Sequence, residues 1–247
     1  MASIPKHDAF FKNLLDRFSV READFEAFSS FYTGDYENYD NKVYDDLKVC
    51  LVHLREFLND SWWNNRFHFL WKYFSRYEQI IDLGFSVPYL PVRLALQNQL
   101  SELPSLLYVE NNPYSEKFAR EILELLGASA SFVTGNLEEK NTWENIAKYT
   151  REGKKLFSAF EVIEHLNNRE VFWVNLQSFS GSDMMLSLPI GPKIPSHHLA
   201  LSRAAEAEKY VSQYLEVAEK TIFDGSSQGS KFSIFTAVGA IKPTAAV

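Results

Sequence analysis

The chain has 247 residues, of which 46 % are hydrophobic and 15 % aromatic, and its formal net charge is −7. This length suits one α/β domain with an added segment, and the acidic balance disfavours an extended nucleic-acid surface. No apolar run approaches the roughly 20 residues of a membrane helix, and the first residues lack the apolar stretch of a signal peptide. We therefore expect no membrane partner. Because Cys50 is the only cysteine, we also expect a reducing, cytoplasmic setting.

Residues 1–78 show helical periodicity and many aromatic side chains. One helix is predicted from Lys6 to Phe18 and another from Lys42 to Leu58. The stretch FYTGDYENYD, residues 31–40, lies between them, and WWNNRFHFLWKYF, residues 62–74, follows. We expect most of these aromatic side chains to pack in the core.

From residue 79 onwards, short apolar runs alternate with helical patterns. The five runs are residues 79–84, 105–110, 131–136, 155–160 and 183–191, and the helical pattern after the fourth covers residues 163–179. This alternation predicts an α/β fold with a doubly wound, mostly parallel sheet. After a helix at 200–215, two further runs flank the turn-rich DGSSQGS and predict a C-terminal antiparallel β-hairpin.

Polar or small residues stand at the ends of the first three predicted strands, where such sheets bind ligands. A glycine there lets the chain turn tightly and approach a ligand closely. A carboxylate can accept hydrogen bonds from both hydroxyls of a ribose, and a polar side chain beside an apolar one suits the edge and face of adenine. The residues are Asp82, Gly84, Ser86, Glu110, Asn136 and Leu137.

The fourth strand is followed by two carboxylates and an imidazole in the stretch FEVIEHL. The i, i+3 and i+4 spacing of Glu161, Glu164 and His165 predicts one shared helix face. Two like charges beside a core cost free energy unless something neutralises or uses them. His197 and His198 follow the fifth strand and are expected at the same edge of the sheet.

Over about residues 79–241 these motifs resemble those of class I S-adenosylmethionine-dependent methyltransferases. IIDLGFSVP, LLYVENNPYSEKFAR, FVTGNLEE and FSAFEVIEHL stand where the family has its cofactor loop, its ribose-binding acid, its adenine segment and its strand-four motif. Ser86 and Pro88 occupy positions that usually hold glycine, and Asn136 replaces the more frequent Asp. The resemblance implies a Rossmann-like fold over residues 79–247, with residues 1–78 as a helical lid that contributes to the acceptor pocket. Residues 31–40 are expected to close over the cofactor.

The resemblance also implies the cofactor and its ligands. Asp82, Gly84 and Ser86 would line the methionine moiety of S-adenosylmethionine, and Glu110 would hold its ribose. The other residues expected beside the cofactor are Asn111, Asn136, Leu137, Phe160 and Glu161.

Two explanations of the Glu-x-x-Glu-His stretch stay open. In the first, which needs no metal, Glu161 lies near the sulfonium, Glu164 is solvated and His165 hydrogen-bonds the substrate or the backbone, or acts as a base. In the second, Glu161, Glu164, His165 and His198, preferred over His197, bind Mg²⁺, Mn²⁺ or Zn²⁺. The ubiquinone-pathway O-methyltransferases and the small-RNA terminal methyltransferases resemble this motif and are metal-assisted. His165, His198 and Glu164 are the catalytic candidates.

The leading functional hypothesis is methyl transfer to an oxygen or nitrogen of a small-molecule acceptor. Metal-assisted 2′-O-methylation of RNA ends is an alternative, although the acidic balance makes nucleic acid a poor partner. A catalytically inactive binding protein with the same fold is a third possibility, based on the reduced glycine motif. The sequence predicts neither the acceptor's identity nor an oligomeric state.

Overall fold

One seven-stranded sheet organises residues 5–34, 46–59, 61–226 and 229–244, which are the residues that the computed structural model describes. The strands are β1 (Gln79–Leu83), β2 (Ser105–Glu110), β3 (Ser131–Thr134), β4 (Lys155–Phe160), β5 (Asp183–Ile190), β6 (Leu215–Asp224) and β7 (Ser233–Ile241). Their order is β3-β2-β1-β4-β5-β7-β6. Strands β1 to β5 pair in parallel, whereas β7 runs antiparallel to β5 and β6. The predicted parallel sheet and terminal hairpin are therefore confirmed.

The chain order reverses between β1 and β4, which are neighbours in the sheet. Asp82 of β1 lies opposite Ser158 of β4, and Glu110 at the end of β2 lies opposite Thr134 of β3. The loops that follow β1 and β4 leave the same edge in different directions. A crevice forms at such a switch point, so the topology places the ligand site beside the ends of these strands.

Helices cover both faces of the sheet. They are α1 (Pro5–Arg17), α2 (Glu22–Gly34), α3 (Leu47–Leu58), α4 (His68–Tyr73), α5 (Tyr89–Leu96), α6 (Pro113–Leu126), α7 (Lys140–Tyr149), α8 (Arg169–Gln177) and α9 (Ala204–Val211). Two 3₁₀ helices, Trp62–Phe67 and Ile163–His165, lie near the crevice. Among the described residues, no helix combines the length and the apolar character needed to cross a membrane.

Successive strand residues supply two separate cores. Ile80 and Tyr108 pack with the core on the side of helices α1 to α6, and Ile81 and Leu107 pack with the core on the side of α7 to α9. Side chains alternate between the two faces of a strand, so continuous apolar runs are required where both faces are covered. This explains why the strands read as unbroken apolar runs in the sequence.

The N-terminal helices pack on the first of these cores. Leu14 and Phe25 are fully buried there, and the Phe18 ring stacks on Phe118 of α6 at 5.2 Å. The described part of residues 1–78 thus shares a core with the sheet. The domain boundary after residue 78 and the role of a lid stay predictions. Tyr36 and Tyr39, within the stretch expected to close over the cofactor, lie outside the described residues.

Two predicted helices differ from the observed ones. The predicted helix at 200–215 is shorter, since Leu215 already belongs to β6. The helical pattern at 163–179 is two elements: the 3₁₀ helix Ile163–His165, then α8 with Asn168 as its N-cap. The described part of 42–58 is helical from Leu47 onwards, after Asp46 caps it.

Candidate functional site

A cavity of about 750 Å³ opens at the carboxyl ends of β1, β2, β3 and β4. The strand-end residues predicted from the sequence line it together with side chains from α3 and from the 3₁₀ helix Trp62–Phe67. The predicted site residues in its lining are Asp82, Gly84, Ser86, Glu110, Asn111, Asn136, Leu137, Phe160, Glu161, Glu164 and His165. The fold therefore brings together eleven residues from four separate stretches of the sequence.

The end of β1 combines a carboxylate with a tight turn. The Ser158 hydroxyl donates to Asp82 at 2.7 Å, while burial raises the pKa of Asp82 to about 7. Gly84 adopts φ +70°, and a β-carbon there would lie 2.7 Å from Cγ2 of Val162. Only glycine meets both conditions without strain, so the backbone after β1 can approach the loop after β4 closely.

Glu110 at the end of β2 has one oxygen engaged and one available. The backbone N–H groups of Asn111 and Asn112 donate to its Oε1 at 2.8 and 3.0 Å. No described residue hydrogen-bonds to Oε2. Burial raises the pKa of Glu110 to about 7, and the two backbone donors oppose that rise. The carboxylate is thus held in place with a free acceptor in the cavity lining.

The loop after β3 supplies an amide and an apolar surface. Oδ1 of Asn136 accepts from the backbone N–H of Glu138 at 2.9 Å, which fixes the side chain. Leu137 is buried at the cavity wall, and its carbonyl accepts from the Trp143 indole at 2.8 Å. This combination suits the edge and face of a flat heterocycle.

The loop after β1 is joined to the N-terminal helices by a chain of hydrogen bonds. The Ser86 hydroxyl lies 3.0 Å from Nδ1 of His53 in α3 and 3.1 Å from the hydroxyl of Tyr89. Nε2 of His53 lies 2.9 Å from the Tyr32 hydroxyl at the end of α2. Burial lowers the pKa of His53 to about 3, so the ring is neutral. The sequence did not single out His53, because its position in α3 shows only helical periodicity.

Arg66 is a buried cation at the same end of the cavity. It is 8 % exposed, and its guanidinium lies over the rings of Phe67 and Tyr89 at 4.6 and 5.4 Å. Its Nη2 donates to the Tyr89 hydroxyl at 3.1 Å. No described carboxylate forms an ion pair with it. The charged residue inside an aromatic run was the signal that could have identified it.

Glu161, directly after β4, has an uncommon backbone conformation. Its φ is +60°, which costs a non-glycine residue about 1–2 kcal/mol. The Ser187 hydroxyl donates to its carboxylate at 3.1 Å. Burial raises the pKa of Glu161 to about 7, and the charge of Arg66 opposes this rise. Strain of this kind persists where the surroundings enforce it, often at functional sites.

Glu164, His165 and His197, which we call the Glu-His-His cluster, present three ligand atoms within 4.8 Å of one another. Glu164 is 1 % exposed, and neither carboxylate oxygen has a hydrogen-bond partner among the described residues. Nδ1 of His165 donates to the carbonyl of Ser196 at 2.9 Å, which leaves the lone pair on Nε2. Burial lowers the pKa of both histidines, that of His197 to about 3, so both rings are neutral ligands.

Three predictions about this motif need correction. Glu161, Glu164 and His165 do not share a helix face, because the left-handed turn at Glu161 precedes a 3₁₀ helix of only three residues. Glu164 is buried rather than solvated. His198 is exposed and does not line the cavity; its backbone N–H donates to the Glu164 carbonyl at 2.6 Å, and this contact places the His197 ring in the cluster instead.

The chain matches no protein-family model and no curated protein. Solved structures are similar to it. A DUF574 family protein from Streptomyces avermitilis aligns with a TM-score of 0.53 over 87 % of this chain and 96 % of its own, at 18 % identity. The 1,6-didemethyltoxoflavin-N1-methyltransferase of Burkholderia thailandensis, with 1,6-didemethyltoxoflavin and S-adenosylhomocysteine bound, aligns at 0.51 over 90 % and 91 %, with 10 % identity.

An S-adenosylmethionine-dependent methyltransferase from Clostridium acetobutylicum also aligns with a TM-score of 0.51, over 81 % of this chain and all of its own, at 9 % identity. These similarities, together with the strand order, show that the chain has the class I methyltransferase fold. The predicted Rossmann-like architecture is confirmed.

Proposed function

We propose that the protein is an S-adenosylmethionine-dependent methyltransferase that acts on an oxygen or nitrogen of a small-molecule acceptor. The observation that carries this proposal is the convergence of Asp82, Glu110 and Asn136 on one cavity from three successive strand ends. A turn or a helix cap explains any one of them alone. A single ligand with an amino-acid end, a ribose and an adenine explains all three.

Each part of the cofactor has a matching group in the cavity. The free oxygen of Glu110 would accept hydrogen bonds from the ribose hydroxyls, and Asn136 with Leu137 would meet the adenine. Asp82 would pair with the ammonium group of the methionine moiety. Arg66 would pair with its carboxylate, which would give this buried guanidinium a counter-charge.

The reaction requires that the acceptor atom be oriented toward the methyl group and that one proton be removed from it. A lone pair on the acceptor atom forms a bond to the methyl carbon as the carbon–sulfur bond breaks, and its electron pair stays on sulfur in S-adenosylhomocysteine. The proton lost by the acceptor passes to a basic group of the Glu-His-His cluster. Burial raises the pKa of Glu164 well above its ordinary value, which makes its ionised form a stronger base than an ordinary carboxylate.

The Glu-His-His cluster also fits a divalent cation. An unpaired buried carboxylate beside two neutral imidazoles is a donor set that a cation would complete, and His165 is oriented by the Ser196 carbonyl as metal-bound histidines usually are. Two imidazoles of three donors favour Mn²⁺ or Zn²⁺ over Mg²⁺. A bound cation would supply positive charge that lowers the pKa of an acceptor hydroxyl.

A binding measurement on Glu110→Ala tests the proposal. The variant should lose about 1–3 kcal/mol of S-adenosylhomocysteine binding, the value of charge-assisted hydrogen bonds. Isothermal titration would measure the affinity, and the ligand-free melting temperature would show that the fold is retained. Glu139→Ala is the matched control, since Glu139 is exposed and outside the cavity. Equal affinity in wild type and Glu110→Ala would reject the assignment.

A further inference from the structure

The cavity has an aromatic pocket beside the cofactor residues. Trp62, Trp63, Phe67, Phe160 and Phe232, which define it here, all line the cavity. They come from the 3₁₀ helix Trp62–Phe67, from the end of β4 and from the residue before β7. The aliphatic residues of the lining, by contrast, include Val109 and Leu137 beside the proposed cofactor site.

The rings of this pocket form flat walls at large angles to one another. The ring centroids of Trp62 and Trp63 are 4.8 Å apart with planes at 87°, and those of Phe67 and Phe160 are 4.9 Å apart at 76°. Both indoles are only half-buried, so ring surface is accessible. A flat ring can stack on one wall while its edge meets another, which are the two arrangements that aromatic rings favour.

Two glycines make room for these rings. A β-carbon at Gly225 would lie 2.6 Å from Cη2 of Trp62, and one at Gly191 would lie 2.5 Å from Cδ1 of Phe232. Neither glycine has a positive φ, so any residue could adopt its backbone conformation. At Gly191 the close ring contact requires glycine, whereas at Gly225 the backbone carbonyl of Phe232 lies even closer than the Trp62 ring.

The cavity lining carries both signs of charge near the pocket. The guanidinium of Arg66 lies over the Phe67 ring at 4.6 Å. The carboxyl groups of Glu56 and Glu161 also line the cavity. The preference for a flat ring therefore follows from the aromatic walls and not from charge.

We propose that the acceptor is a planar aromatic compound, held with its ring in the aromatic pocket. A hydroxyl or amino substituent of that ring would then face the methyl group. That this ring is a methyl acceptor rests on the proposed function, whereas the preference for a flat ring rests on the pocket alone.

Titration with two probes of the same carbon skeleton tests this inference. We expect 2-naphthol to bind about tenfold more tightly than decahydro-2-naphthol, because only the planar ring gains stacking energy. Trp62→Leu should remove this preference. Trp71→Leu, the same substitution outside the cavity lining, should retain it. S-adenosylhomocysteine affinity, measured on each variant, would show that the cofactor site is intact.

Equal binding of the two probes by the wild type would overturn the inference, and so would tighter binding of tetramethylammonium than of 2-naphthol. The two proposals fail separately. If the wild type prefers 2-naphthol but does not bind S-adenosylhomocysteine, the methyltransferase function is rejected and the inference about the aromatic pocket stands. Cofactor binding without the planar preference would reject the pocket only.

Discussion

Glu164 has a carboxylate that is costly for the ligand-free protein. It is 1 % exposed, its oxygens have no hydrogen-bond partner among the described residues, and the nearby Glu161 adds like-charge repulsion to the cost of burial. An unsatisfied buried polar group destabilises a fold by about 1–3 kcal/mol. Glu164 thus destabilises the ligand-free protein and also belongs to the Glu-His-His cluster. Its presence there is best explained by a ligand that binds to its carboxylate.

Glu164→Gln should separate stability from cation binding. The neutral amide should raise the melting temperature of the EDTA-treated protein at about pH 8, since it removes the cost of burying a carboxyl group that is ionised in the unfolded state at that pH. The same variant should lose the stabilisation that Mn²⁺ or Zn²⁺ gives the wild type. Differential scanning calorimetry measures both effects, and Glu139→Gln is the exposed control.

A lower melting temperature in metal-free Glu164→Gln would contradict the account of the unpaired carboxylate. Metal-induced stabilisation that is unchanged in Glu164→Gln would reject the cation site. Full turnover by wild-type protein after exhaustive EDTA treatment would also exclude a required metal and leave the cluster as proton acceptors.

The ligand-free protein should lose stability from about pH 7 to about pH 8. Burial raises the pKa of Asp82, Glu110 and Glu161 to about 7, well above the value of an unfolded carboxyl. The folded state therefore holds protons that the unfolded state has released, and stability falls with rising pH until the folded state has lost them too. His53 and His197, whose lowered pKa acts in the opposite direction, have little effect in this window because unfolded histidine is largely neutral there.

Denaturant unfolding at a series of pH values would measure this fall. Saturating S-adenosylmethionine should reduce it, because the ammonium group would stabilise ionised Asp82. Asp82→Asn should reduce it in the ligand-free protein. A stability that rises from about pH 7 to about pH 8 would contradict the raised pKa values.

At the scale of elements, the loop after β1 depends on its contact with the loop after β4. Gly84→Ala should destabilise the protein by about 1–3 kcal/mol and weaken S-adenosylhomocysteine binding, because its β-carbon would meet Val162. Gly127→Ala is the matched control. Gly127 has a similar φ of +66°, but a β-carbon there would meet no described atom within 4 Å. Gly127→Ala therefore introduces the backbone strain without the clash.

Urea unfolding and isothermal titration on both variants would give the comparison. The larger loss of stability should belong to Gly84→Ala, and only this variant should lose cofactor affinity. Equal losses would mean that strain alone explains Gly84, and the close approach of the two loops would then have no role in binding.

The sequence predicted the elements whose signals are local. Apolar runs predicted the strands. The residues at the strand ends, such as Asp82 and Glu110, therefore lie at the edge of the sheet where the cavity opens. The Glu161 to His165 stretch was misread because i, i+3 and i+4 spacing assumes a continuous helix, whereas a left-handed residue starts this turn. His197 was passed over for His198 because the choice depends on how a loop docks against Glu164.

At the scale of the whole molecule, packing between elements far apart in the sequence determines which side chains reach the cavity. The sequence pattern alone does not show these contacts. Arg66 and His53 enter the cavity because the N-terminal helices share a core with the sheet. Arg17 in α1 pairs with Glu121 and Glu124 in α6, which ties the first helix to the sheet's covering layer. Periodicity identifies a buried face, but not which buried polar residue will meet a ligand on another element.

A structure with S-adenosylhomocysteine soaked into crystals of the protein tests the central claim most directly. We predict density in the cavity with the ribose hydroxyls in hydrogen-bond contact with Glu110, the adenine against Leu137 and the amino-acid carboxylate at Arg66. The sulfur should point toward Glu161 and the Glu-His-His cluster, with the aromatic pocket beyond it. Ligand bound elsewhere, or no bound ligand at concentrations that saturate other methyltransferases, would contradict the proposed function.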